Sequence, residues 1–136
     1  MSEFVDANIF VRYLTGDDLQ KAKRCRMLFL QAQRGEAQLV TSESVIAEVA
    51  YVLGSPARYQ MSREVVAKAM QGLVSLPGLH VDHKESILRA FDVWGSSRLD
   101  FEDCLSTEHV RRADLAGIYS YDRDFDRIAG INRLEP

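Results

Sequence analysis

Carboxylates at four places in the chain stand where they could act together. Asp6 ends the apolar pair Phe4-Val5, and Asp122 occupies the equivalent place after Ile118-Tyr119-Ser120-Tyr121. Asp100 and Asp103 open a helical segment that begins at Phe101. Glu48 falls among Val45, Ile46, Val49, Val52 and Leu53, which share one helical stripe. At about 100° per residue, Glu48 lies only about 40° from Val52, on the margin of that stripe. Acids crowded into one cleft repel one another and hold their protons unless a cation neutralises them. Oxygen ligands select a hard ion, so Mg²⁺ or Mn²⁺ is the expected cofactor. A carboxylate-held ion activates water and stabilises a leaving oxygen, which points to hydrolysis of a nucleic-acid backbone.

Each acid also has a structural use. Asp100 and Asp103, three apart, suit a helix N-terminus, and Asp122 suits the cap of the turn after it. Glu48 taken alone is a solvated helix residue. Asp6 fits the structural reading least, because an aspartate ending a buried strand must find donors or a cation. His80 and His83 flank a strand end and His109 stands alone on a helix surface, so none of them is read as a metal ligand. Cys25 and Cys104, without CxxC spacing, are read as small core residues. A glycine-rich phosphate loop and a GxSxG elbow are both missing from the sequence.

The elements that must position these acids alternate between strand and helix. Strands are expected at Glu3–Asp6, Gln38–Thr41, Leu79–Asp82, Gly117–Tyr121 and Asn132–Leu134. Helices are expected at Ala7–Leu14, Leu19–Gln33, from the Ser42 cap to Leu53, from Ser62 to Leu76, and at Lys84–Trp94 and Phe101–Ala113; a short helical turn covers Phe125–Ile128. Parallel strands need helical crossovers, which predicts an α/β fold: a three-layer α/β/α sandwich around a mostly parallel sheet of four to five strands. In such sheets reactive groups gather beyond the carboxyl ends of the strands. A length of 136 residues, 46% hydrophobic and 27% charged, with no repeat or linker, suits one domain over 1–136. No apolar run approaches a membrane span and the acidic start is unlike a signal peptide, so a cytoplasmic location is expected.

The blocks FVDANIFVRYL, SESVIAEVAYVL, LDFEDCL, IYSYDRDF and AGINRLEP resemble, in order and over essentially the whole chain, the PIN-domain family and within it the VapC-like toxins of toxin–antitoxin pairs. The resemblance implies a metal-dependent endoribonuclease whose four acids are Asp6, Glu48, Asp103 and Asp122. Asn8 matches the polar residue two positions after the first acid, and Ser120 matches the hydroxyl residue before the last. Asp100 and Asp124 are alternatives or accessories to Asp103 and Asp122. The resemblance further implies a homodimer and a cognate antitoxin that occupies the cleft. Without the four candidate ligands the formal net charge of -3 becomes +1. Arg123, beside Asp122, is the expected contact to RNA phosphate. A basic cluster, Lys21, Lys23, Arg24 and Arg26, reads as a solvated helix face.

Two other classes compete. A response-regulator receiver or aspartate-nucleophile phosphatase also carries strand-end acids, but residue 8 is asparagine where a phosphatase DxD motif needs aspartate. A non-catalytic PIN binding module would not need all four acids.

Overall fold

The computed structural model describes residues 1–136. Its elements run β1 (Glu3–Phe4), α1 (Ala7–Thr15), α2 (Leu19–Gln33), β2 (Leu39–Val40), α3 (Glu43–Gly54), α4 (Arg63–Val74) and β3 (Leu79–His80). They continue with α5 (Lys84–Gly95), α6 (Phe101–Arg112), β4 (Ile118–Tyr119), a 3₁₀ turn (Arg123–Arg127) and β5 (Arg133–Leu134). Helix starts follow the caps that the sequence offers. The side chains of Asp18, Ser42, Ser62 and Asp100 accept from the backbone N–H of Lys21, Val45, Val65 and Asp103. Gly16 ends α1 at φ 64°, a left-handed turn that costs glycine little, and donates its N–H to the Arg12 carbonyl.

All five strands are parallel, as the alternating pattern requires, and the α/β class expected from the sequence is what the chain adopts. They form two ladders, β1-β2-β3 and β4-β5, in place of one continuous sheet. Each ladder strand is only two residues long; beyond β1 and β2 the chain turns into a helix within three residues. Backbone pairing nonetheless reaches past these limits: Val5 donates to the Val40 carbonyl at 2.8 Å and Thr41 to that of His80 at 2.9 Å. The buried Thr41 hydroxyl donates to the Val5 carbonyl at 2.9 Å, fixing the end of β1 one residue before Asp6. At the start of β3, Gly78 leaves no room for a side chain, since a Cβ there would lie 2.2 Å from the Ala37 carbonyl oxygen.

One apolar cluster joins side chains from all six helices, among them Phe10, Phe29, Ile46, Met70, Phe91 and Phe101. Both cysteines are buried, as read from the sequence. Phe101 stacks 4.3 Å from Phe91 and 6.2 Å from Trp94, ring centre to ring centre. These contacts clamp the first turn of α6 to α5 and so set where Asp103 stands.

Glu108 is the one fully buried charge, 1% exposed, and it lies on α6 between Arg89 of α5 and Arg111, with N···O distances of 3.3 Å to each. Its position follows from spacing: Cys104 and Phe101, four and seven residues earlier, mark the same buried face. Breaking a buried pair from one side leaves unmatched charge, although both arginines can turn toward water. Glu108→Ala is therefore expected to cost about 2–3 kcal/mol and lower the Tm by about 10 °C. A loss under about 3 °C in calorimetry would show the pairs to be of little energetic value.

Candidate active site

Asp103 sits in the first turn of α6, half-buried. Burial, and then the negative charges of Asp100, Asp122 and Glu102, push its carboxyl up to about 6 from an ordinary 3.8. Asp122 lies three residues beyond β4, at the N-cap of the 3₁₀ turn, and is exposed; its carboxylate accepts from the Asp124 N–H at 2.9 Å. The Ser120 hydroxyl accepts from the Asp122 N–H at 3.0 Å, so it orients the backbone of that acid. Asp100 caps α6, accepting from the Asp103 N–H at 2.9 Å. The capping uses and the clustering thus coexist: one oxygen of each cap is spent on a backbone N–H while the carboxylate's charge still acts on its neighbours. Asp124 lies half-buried on the other side of the turn, and Asp122 is the one of this pair whose charge bears on Asp103.

Glu48 projects from α3 into an open cleft of about 660 Å³ that it shares with Asp100, Glu102, Arg63 and Trp94. It is exposed, because a residue on the edge of a helical stripe reaches solvent where the neighbouring helix falls away. Asp6 is exposed as well, which corrects the expectation of an acid ending a buried strand: Glu3 and Phe4 of β1 are themselves exposed, and only Val5 is buried. It occupies the N-cap position of α1 with extended backbone, and its side chain makes no capping hydrogen bond. Asn8 is exposed on the first turn of α1, and Arg123 is exposed on the 3₁₀ turn. The charges of Asp100 and Asp122 bear on Asp103, and Glu48 shares a cleft with Asp100. No three acidic, histidine or cysteine side chains approach closely enough to form a ready-made cage.

Two readings of the sequence need amendment. His109 does not stand alone: its Nε2 lies 3.8 Å from Glu43, and its ring is 6.4 Å from that of His83. Arg63 was not singled out, yet it holds the approach to Asp100. Its Nη1 donates to the carbonyls of Trp94 (3.3 Å), Ser97 (3.0 Å) and Leu99, and its guanidinium sits 5.0 Å from the centre of the Trp94 ring. The available signal was an arginine opening α4, where the helix dipole disfavours a cation and some other partner must hold it.

The sequence model of the PIN domain matches residues 4–131, a span that contains every candidate residue. The chain belongs to the PIN-domain family. No curated protein matches it. PIN domains are generally nucleases, so this PIN domain is placed among hydrolases acting on nucleic acid. They are typically dependent on a divalent metal, and the donor set here fits one. Asp6, Glu48, Asp100, Asp103 and Asp122 offer oxygen alone, and none of them is paired with a lysine, arginine or histidine. No helix of this PIN domain is long and apolar enough to cross a membrane.

Proposed function

We propose that this PIN domain is a Mg²⁺- or Mn²⁺-dependent endoribonuclease and the VapC-like toxin of a toxin–antitoxin pair. The observation that carries the reading is a group of carboxylates with no cationic partner, Asp103 beside Asp100 and Asp122, in a chain of nucleolytic family. Asp6, Asp103 and Asp122 hold the metal directly or through water, and Glu48 completes the ligand set or orients a water. The bound ion supplies positive charge for activating water and stabilising the leaving oxygen. Ser120 keeps the Asp122 backbone in place, while Asn8 and Arg123 meet the RNA, Arg123 as a phosphate contact. The proposed assembly is a homodimer in the cytoplasm, its cleft blocked in the resting state by a cognate antitoxin.

The test is RNA cleavage by purified, nuclease-free protein. EDTA is expected to lower the rate at least 100-fold, and excess Mg²⁺ or Mn²⁺ to restore it. Cleavage that persists at full rate in chelator removes the metal from the mechanism. Sequencing the RNA ends produced on expression without the antitoxin would then name the target.

A further inference from the structure

Beyond Asp124 the acidic surface gives way to arginine. An open cleft of about 440 Å³ lies between the turn that follows α5 and the 3₁₀ turn, walled by Ser97, Arg98, Arg111, Asp124, Arg127 and Ile128 among others. Arg111 is already committed, one end of its guanidinium to buried Glu108 and the other to the Ala129 carbonyl at 2.6 Å. Arg98 and Arg127 are exposed on this cleft and make no ion pair. The cleft therefore carries two guanidinium groups without an anion, on walls that also bring serine hydroxyls. Its single acid, Asp124, stands at the border with Asp122, to which it donates its backbone N–H.

Both arginines ride on the segments that present the acids. Arg98 comes two residues before the α6 cap Asp100, and Arg127 closes the 3₁₀ turn that Asp122 caps. A strand held at Asp122 lies next to this cleft, whose wall includes Asp124, two residues on and hydrogen-bonded to the Asp122 carboxylate. Planar guanidinium forks match the paired oxygens of a phosphodiester with two parallel hydrogen bonds, which a neutral group does not offer. We infer that the Arg98–Arg127 cleft is a phosphate subsite that holds a backbone phosphodiester of the substrate strand, next to the bond that is cut. This inference rests on the nuclease reading above and adds to it a place and a direction for the RNA.

Binding, not turnover, tests it. The probe is a short fluorescein-labelled single-stranded RNA, titrated in chelator at several salt concentrations against the full chain and against Arg98→Ala/Arg127→Ala. The paired variant is expected to bind about tenfold more weakly. Its slope of log K against log salt is expected to be shallower by about 1.4, the contribution of two phosphate contacts on a single strand. Arg34→Ala/Lys68→Ala removes the same charge from α2's end and from α4, and is expected to change binding less than twofold. Equal binding by parent and Arg98→Ala/Arg127→Ala overturns the subsite while leaving the nuclease reading intact. An equal loss in both paired variants overturns it too, because the effect is then bulk charge. If the unaltered protein neither binds nor cuts RNA, the nuclease reading falls and takes the subsite with it.

Discussion

Asp6→Asn is expected to reduce RNA cleavage at least 1,000-fold while leaving the Tm within about 2 °C of the parent, or slightly above it. The size of the first effect follows from the role proposed for Asp6 as a ligand: the amide keeps the shape of the side chain and loses the charge that holds a divalent ion. The neutrality of the second follows from what the carboxylate does in the fold, which is little. It is exposed, forms no ion pair and does not cap α1, and asparagine is as good a residue at an N-cap as aspartate. An inactive variant with a much lower Tm would instead mean that Asp6 supports the fold. Undiminished cleavage would take Asp6 out of the mechanism.

Asp103→Asn should give the same loss of cleavage and a clear gain in stability when metal is chelated. The Asp103 carboxyl is held at about 6 in the fold by burial and by Asp100, Asp122 and Glu102, against an ordinary 3.8. The folded protein thus binds this proton more tightly than the unfolded chain. Its contribution to stability is fully present below about pH 4 and is lost as pH rises through about 6. At neutral pH the ionised group is a burden; for a wholly buried carboxyl the full linkage value would be about 3 kcal/mol, and partial exposure lowers it to about 1–2 kcal/mol. Asparagine removes that burden, raising the Tm in chelator at pH 7.5 by several degrees and flattening its rise between pH 7 and pH 5. Mg²⁺ is expected to raise the Tm of the parent and not that of the variant, since only the parent keeps the ligand. A variant with the parent's pH profile in chelator would show that Asp103 carries no strain from its neighbours.

Much of the fold was legible because its determinants are local. Asp18, Ser42, Ser62 and Asp100 announce helix starts that the backbone then uses, and the apolar spacing of Val45, Ile46, Val49 and Leu53 marks the face that α3 buries. The strands were harder to bound: expected strands of three to five residues contain only two-residue ladders, since ladder length depends on partners distant in sequence. The same reason explains the readings that changed. Whether Asp6 is buried, whether His109 has neighbours and which carbonyls Arg63 reaches are each decided by a segment that local pattern does not contain. Glu108 is the intermediate case, placed on a buried face by its spacing from Phe101 and Cys104 and balanced there by Arg111 of its own helix and by Arg89, which arrives from α5.

The sequence by itself determined the family, the order of strands and helices, and the chemical character of the acids, because caps, periodicity and side-chain type act over a few residues. Only the tertiary structure decided which acids meet: it puts Asp103 beside Asp100 and Asp122, sets Glu48 in the cleft of Asp100, and keeps Asp6 out in solvent. It also decided that two arginines close to those acids are left without partners. Charge acts through space, and the distances over which it acts are set by how α5 and α6 pack and where the turns after them fall.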